Sequence, residues 1–364
     1  MTVTNKPFAS RLQPFVDSGA FAGAVAAVAS KDAVIHLEAI GFADIAAGQP
    51  MTRESLFWIA SQSKPITCIA LMILVDEGLV DVEEPVENYL PEFAGSSWVA
   101  TESDDEHILL KRTKTSIKVR HVLSHTSGLP FSSKIEYPTL DILPLEARVR
   151  SYTVAPLLFE PGEGYQYSNA GTNTAGRIIE VVSGVPYADF VRDRLTDPLG
   201  MNDTTFWPNA EQLSRLAKVY NYNPDTSHVD EIPISQLRYP LDGPGREPMP
   251  AGGLFSTVDD MTLFYQMLMN GGVLNGRRYL SSDSIAQATS KQTGDKVETK
   301  YGFGFGADEG SFGHGGALGT GTNVDRKRGL IKLWYVQHSN YAEGQGEQIS
   351  AAFQEGVEEI AAAI

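Results

Sequence analysis

The chain has 364 residues, 42% hydrophobic and 20% charged, enough for one large domain or two lobes around a sizeable core. Its formal charge of −16 argues against nucleic acid or an anionic membrane as the main partner, and no basic cluster carries interleaved aromatics. No apolar run approaches the roughly 18 residues of a membrane span, and the one cysteine, Cys68, excludes an intrachain disulfide and reads as a small core residue. Met-Thr-Val-Thr-Asn-Lys-Pro is not a signal peptide, so a cytoplasmic location is the default expectation; a mature periplasmic or secreted form stays open.

Residues 8–17 predict a short amphipathic helix. Ala24–Ser30 and Ala33–Ile40 are apolar runs joined at Lys31-Asp32; their β-branched residues and short turn predict a hairpin. Residues 44–54 read as a loop. From Ser61 the pattern turns helical, with Ile66, Ile69, Ala70, Ile73 and Leu74 at i, i+3, i+4 spacing and Gly78 as the stop. Pro65 belongs in a first turn, which places Ser61 at the helix tip and Lys64 on the same face. A lysine buried there loses its proton more readily than in water, and a neutral amine beside a hydroxyl is a general base beside a nucleophile. The same spacing also fits an N-cap serine and an exposed lysine.

From about Asp81 to Pro248, prolines and short helical segments dominate, with long connections such as Gly95–Lys118 and Ser132–Pro144. Helices are expected over Val119–Ser124, Thr172–Val182 and Tyr187–Arg194, and Glu102–Lys114 reads as a solvated excursion. Regular pattern returns at residues 252–257, where Ser256 or Thr257 caps a helix reaching about Met269 and Gly271-Gly272 ends it. Strands are expected over Tyr301–Gly306, Gly321–Asp325 and Leu330–His338, with a hairpin turn at residues 326–329 and a final amphipathic helix over Gln348–Ile364. The expected fold class is α+β: an antiparallel sheet from both termini, flanked by helices, with an inserted helical lobe. The boundaries are 1–80 with 249–364 for the sheet lobe and 81–248 for the insertion, the active site lying between them.

Two further stretches carry chemistry. In Glu160-Pro-Gly-Glu-Gly-Tyr-Gln-Tyr167-Ser-Asn169, a tyrosine and an asparagine two apart in a tight loop can face one cleft, the phenol relaying a proton and the amide holding a carbonyl. It also fits a loop tyrosine that anchors a helix start. Phe312-Gly-His314-Gly315-Gly316-Ala317 lets backbone approach a ligand closely, and its N–H groups could form half of an oxyanion hole; a bulge or bend between strands fits equally. His121 and His125 stand at i, i+4, but no glutamate lies between them, and no metal site is expected. The Gly-x-Ser-x-Gly elbow of α/β-hydrolases is absent.

Taken in order, Ser61-Gln-Ser-Lys64, Val119-Arg-His-Val-Leu-Ser-His125-Thr-Ser-Gly-Leu, Glu160-Pro-Gly, Tyr167-Ser-Asn169, Ala251-Gly-Gly-Leu-Phe-Ser-Thr and His314-Gly-Gly resemble the serine β-lactamase superfamily in its class C-like branch. That branch holds β-lactamases, D-alanyl-D-alanine carboxypeptidases, D-aminopeptidases and β-lactamase-like carboxylesterases. The resemblance implies a β-lactamase/transpeptidase-like fold and residue roles. Ser61 would be the acylated nucleophile, Lys64 its proton acceptor, and Tyr167 a general base or shuttle coupled to Lys64. Asn169 would contact the acyl-side amide or the lysine. His314, Gly315 and Gly316 would line the substrate site, and the N–H groups of Ser61 and Ala317 would form the oxyanion hole.

The third motif departs from the family, because β-lactamases usually carry Lys-Thr-Gly where this chain has His314-Gly315-Gly316. A neutral histidine grips a carboxylate poorly. Lys291-Gln-Thr-Gly294 has one residue too many to replace the motif and reads as a surface loop. The expectation is a cofactor-free serine hydrolase that forms an acyl-enzyme from small carboxylic esters or amides. D-Amino-acid peptide or weak β-lactam hydrolysis is the alternative, and a penicillin-binding sensor without turnover is the alternative of another class. The expected partner is a small ester, amide or peptide, with oligomeric state open.

Overall fold

The computed structural model describes residues 6–95 and 97–364. Helix α1 (Ala9–Asp17) leads into β1 (Gly23–Ala29), β2 (Val34–Asp44) and β3 (Gln49–Pro50). A short strand β4 (Phe57–Trp58) precedes a 3₁₀ turn at Ala60–Gln62 and helix α2 (Ser63–Asp76). The middle of the chain holds hairpin β5 (Trp98–Ser103) and β6 (Ile108–Arg112), then α3 (Val119–Leu123), α4 (Leu145–Tyr152) and α5 (Asn169–Ser183). Next come α6 (Tyr187–Val191), α7 (Asp197–Leu199), α8 (Ala210–Ser214) and hairpin β7 (Val219–Asn223) and β8 (His228–Ile232). After β9 (Phe255–Ser256) and α9 (Val258–Met269) come β10 (Val273–Leu274), β11 (Arg277–Arg278) and α10 (Ser282–Ala288). The chain closes with β12 (Gly306–Ala307), β13 (Ser311–Gly315), β14 (Gly321–Asp325), β15 (Leu330–Tyr335) and α11 (Gln345–Ala362).

Both termini build one seven-stranded sheet in the order β12-β13-β14-β15-β1-β2-β3, its ladders antiparallel. The interior strand β1, between β15 and β2, is Gly-Ala-Val-Ala-Ala-Val-Ala, buried along its whole length. Strand alternation sends Val25, Ala27 and Ala29 to one face and Ala24, Ala26 and Val28 to the other. The first face packs on α2 and α9. One apolar cluster continues from there into α3, α4 and α5, joining sheet and inserted helices in a common core. The second face is covered by α1 and α11.

Local chemistry sets the helix ends. The Thr257 hydroxyl accepts the Asp260 N–H at the start of α9, and the Ser168 hydroxyl accepts the Gly171 N–H at the start of α5. The expected strand over Tyr301–Gly306 is instead a tight turn: Gly302 N–H donates to the Phe305 carbonyl, leaving only a bridge from Tyr301 to Gly306. Gly304 there has φ +81 and lies so close to Cys68 that a Cβ would sit 2.7 Å from its sulfur. Periodicity misses β13, whose glycines hide its alternation, and the hairpins β5–β6 and β7–β8 within the segment expected to be helical. The excursion over 102–114 is a hairpin, with every residue of β6 exposed. Among the described residues no helix is long and apolar enough to cross a membrane.

Candidate active site

The turn bearing Ser61 is built by fastening both sides of it. Strand β4 pairs with β9, Ile59 N–H donates to the Leu254 carbonyl at 3.0 Å, and Trp58 Nε1–H donates to the Gly252 carbonyl at 2.7 Å. Ala60 is then forced to φ +45, a conformation costly for any residue with a Cβ. The Ser63 hydroxyl holds it there, donating to the Ala60 carbonyl (2.7 Å) and accepting the Leu254 N–H (3.1 Å). Ser61 therefore sits in the 3₁₀ turn leading into α2, and not in the α-helix that its pattern predicts.

Lys64 lies in the first turn of α2 and is wholly buried. Its Nζ is 3.2 Å from Ser61 Oγ, 2.8 Å from Asn169 Oδ1 and 2.8 Å from the Ala251 carbonyl oxygen. Burial lowers its pKa to about 7. Cys68, one turn further along and fully buried, is pushed up to about 12 by the same desolvation, which fits a core thiol.

Tyr167 and Asn169 arrive together on the entry to α5. Ser168 between them donates its hydroxyl to the Pro130 carbonyl (2.7 Å), and Asn169 N–H donates to the Phe131 carbonyl (2.9 Å). The Tyr167 ring lies under Lys64, with Nζ 4.6 Å from the ring centroid, and its phenol is close enough to the Ser61 side chain for the hydroxyl to favour the phenolate. Burial raises the phenol's pKa well above its ordinary value, so it stays protonated at neutral pH.

The third segment closes the site from the sheet. His314 and Gly315 end β13. Gly316 packs against the turn before Ser61: a Cβ there would lie 2.3 Å from Thr320 Oγ1 and 2.5 Å from the Ile59 carbonyl oxygen. Ala317, next in line, is exposed, and its N–H donates to no carbonyl among the described residues. His314 Nδ1 must donate, since its partner at 2.6 Å is the Gly315 carbonyl; Nε2 then accepts from the Tyr301 hydroxyl at 3.0 Å. Burial, with the Lys64 charge behind it, lowers the His314 pKa to about 3. The ring is neutral and both its nitrogens are engaged.

The structure thus brings Ser61, Lys64, Tyr167 and Asn169 into direct contact, with His314–Ala317 alongside. Sequence reasoning gave no role to Ala251, whose carbonyl Lys64 reaches, to Tyr301, or to His125, whose ring packs 4.6 Å from those of Tyr167 and Tyr301. Only the Ala251-Gly-Gly and His125-Thr-Ser-Gly signatures marked two of these neighbourhoods. His121 Nδ1 accepts the Lys118 N–H at 3.1 Å, and no cluster of three metal-binding side chains occurs among the described residues.

An antiparallel sheet of both termini, with a Ser-x-x-Lys turn on its helical face, defines the β-lactamase/transpeptidase-like class of serine hydrolases, which work through an acyl-enzyme. The chain belongs to that family: residues 8–353 match the family model described as Beta-lactamase. Protein Rv1367c from Mycobacterium tuberculosis is 30% identical over 363 residues, covering 88% of this chain and 87% of its own length. Esterase EstB from Burkholderia gladioli is 28% identical, covering 92% and 90%. Among solved structures, EstCE1, described as a hydrolase with promiscuous acyltransferase activity, shares the fold with a TM-score of 0.79 at 24% identity, covering 96% of this chain and 98% of that one.

Proposed function

We propose that the chain hydrolyses small, uncharged carboxylic esters, with Ser61 as nucleophile and Lys64 as its base. The observation that carries this reading is the set of three contacts at Lys64 Nζ. A neutral amine has two N–H groups and one lone pair. Asn169 Oδ1 and the Ala251 carbonyl take the two hydrogens, and the lone pair is left facing the Ser61 hydroxyl.

On this reading Lys64 accepts the Ser61 proton while Oγ attacks the ester carbonyl. The tetrahedral oxyanion lies between the N–H groups of Ser61 and Ala317, an interaction worth about 10²–10³ in rate per donor in comparable sites. As the intermediate collapses, the departing alkoxide takes a proton from the Tyr167 phenol, which Lys64 restores. Water then repeats the sequence on the acyl-enzyme. The raised pKa of Tyr167 and the lowered pKa of Lys64 support this division, with the phenol as shuttle and the amine taking the first proton. The Asn169 amide nitrogen meets no acceptor among the described residues and is free to hold the acyl-side carbonyl. On the same reading the substrate binds between the sheet lobe, which carries Ser61 and Lys64, and the segment 81–248, which carries Tyr167 and Asn169.

His314 argues for the substrate class. A neutral ring with both nitrogens satisfied offers neither charge nor donor to a carboxylate. Esters without an acidic group demand nothing of it, whereas β-lactams and peptide C-termini do. The relatives named esterases point the same way. Ser61→Ala should abolish turnover of p-nitrophenyl butyrate and the acyl adduct seen by intact mass; persistent turnover removes Ser61 from the mechanism. Faster hydrolysis of a D-alanyl peptide or a chromogenic cephalosporin would reverse the substrate assignment. Stoichiometric penicillin labelling with no turnover of any substrate would make the chain a sensor.

A further inference from the structure

Tyr167 projects from a stretch of loop whose two flanking peptides are both fastened to one residue. Gln166 N–H donates to the His125 carbonyl at 3.0 Å, and Ser168 N–H donates to His125 Nδ1 at 3.2 Å. Between those two bonds the imidazole lies against Tyr167 itself, 4.6 Å between ring centroids. Its other neighbours are Tyr301 at 4.6 Å and, edge-on, Tyr165 at 6.0 Å.

Holding this position is unfavourable for His125 in two respects. Its backbone is left-handed, φ +61, immediately after α3. The residue is 1% exposed, and because Nδ1 accepts from Ser168, Nε2 must carry the proton; that buried N–H has no hydrogen-bond partner among the described residues. Asparagine or glycine would meet the backbone requirement with less strain, and a smaller apolar residue would leave no orphan donor. The two features that neither glycine nor an apolar residue supplies together are an acceptor for Ser168 and a flat face against Tyr167.

We propose that His125 is a positioning residue for Tyr167, a clamp on residues 166–168 that holds the phenol directed at Ser61 Oγ. It touches neither substrate nor the reacting atoms. It acts by removing the freedom of a loop that otherwise swings the phenol away from the hydroxyl, and the acceptor on the ring is its decisive part. The inference rests on the assignment of Tyr167 as proton shuttle.

The test is a steady-state comparison of His125→Asn, His125→Phe and Tyr167→Phe with p-nitrophenyl butyrate, each with a thermal melt. Asparagine keeps an acceptor near the Nδ1 position and tolerates the left-handed backbone, so kcat should stay within about tenfold of wild type. Phenylalanine keeps the ring and loses the acceptor. Its kcat should fall by about 10²-fold with KM within a few-fold, since the loss is of proton transfer and not of binding. If His125→Phe does not fold, His125→Gly, which adopts the backbone without strain, takes its place with the same expectation. Equal kcat in the Asn and Phe variants, or a loss carried by KM, overturns the clamp. Wild-type kcat in Tyr167→Phe overturns the shuttle assignment instead; a collapse there with His125→Phe unaffected refutes the clamp alone.

Discussion

An ammonium taken into protein loses its hydration shell, and around Lys64 no carboxylate among the described residues replaces it: the partners of Nζ are a hydroxyl, an amide oxygen and a peptide carbonyl. Desolvation, only partly opposed by Cys68, lowers the pKa to about 7, so that a neutral amine is abundant at neutral pH. Because only the unprotonated amine can accept the Ser61 proton, kcat/KM for p-nitrophenyl butyrate should rise with pH through about 7 and level off above it. A profile flat from about pH 5 to 9 would exclude Lys64 as the base. The same shift has a second consequence. Between about 7 and the ordinary 10.5 the unfolded chain binds a proton that the folded chain does not, so raising pH in that window favours folding. Lys64→Met removes this titration. The unfolding free energy of wild type minus that of Lys64→Met, from urea melts, should therefore grow as pH rises from about 7 to about 10; a constant difference would mean that the amine is not desolvated. At this scale Ser61, Lys64, Tyr167 and Asn169 were legible in the sequence, because each sits in a short motif whose spacing survives folding. Ala251 was not, since it contributes only a carbonyl, which every residue has. Tyr301 was not, because a turn with no periodicity carries it to His314.

One level up, the acceptor that Ala251 offers Lys64 is held by a buried polar chain crossing three elements. Asn173 Oδ1 on α5 accepts the Ala251 N–H (3.1 Å), Asn173 Nδ2 donates to Tyr152 Oη on α4 (3.0 Å), and that hydroxyl donates to Glu136 Oε1 (2.8 Å). Arg148, also on α4 and fully buried, stands 3.5 Å from the same carboxylate. Burial raises the Glu136 pKa against the bonds from Ser133 and Tyr152 that favour the anion. Asn173→Ala strips the Ala251 N–H of its acceptor and removes the donor to Tyr152 Oη, whose own hydrogen stays on Glu136. It should cost about 1–3 kcal/mol of stability and, by loosening the carbonyl over Lys64, about tenfold in kcat. Denaturant melts beside kinetics check both; a stability loss with kcat unchanged would confine the chain to structure. Helices α5 and α9 could be read in advance, because apolar periodicity and Ser or Thr caps act within the element. Strand β13 and the turn before it could not, because their glycines serve close approach that no local pattern displays: Gly313 to Thr322 and Asn323 of the next strand, Gly316 just past β13 to Ile59, and Gly304 in the turn to Cys68. The hairpin of β5 and β6 was missed for another reason: its second strand faces solvent throughout and so has no buried alternation to display.

Across the whole molecule the sheet separates two tasks. Its inner face carries α2, and with it Ser61 and Lys64, while its outer face is closed by α1 and α11. Tethers from sheet and helix fasten that outer layer: Glu38 of β2 accepts the N–H groups of Phe8 and Ala9, and Arg11 pairs with Glu359 at 2.8 Å. At its centre Phe353 stacks on Phe8 (5.4 Å) and leans on Trp334 (5.1 Å), while Gly356 lets Phe8 in where a Cβ would come within 2.6 Å of the ring. The use of both termini in one sheet was legible, since strand-like runs sit only near the two ends; the two-faced burial of β1 was not, because seven small apolar residues have no alternation to read. The division of labour makes a prediction that separates stability from chemistry. Phe353 is 6% exposed, and its replacement by alanine opens a cavity between α11, α1 and β15 at a cost of about 3–5 kcal/mol. The hydrogen bonds described above for Lys64, for the turn before Ser61 and for the peptides flanking Tyr167 run to residues 125–131, 169 and 251–254 and not to α1 or α11, although Phe353 lines one cavity with His314 and Gly315. Phe353→Ala should therefore melt several degrees lower while its folded fraction keeps the wild-type kcat for p-nitrophenyl butyrate, measured well below the melting range. A fall in kcat at that temperature would show that the outer helices hold the β13 strand in register from behind, and that the two faces are not independent.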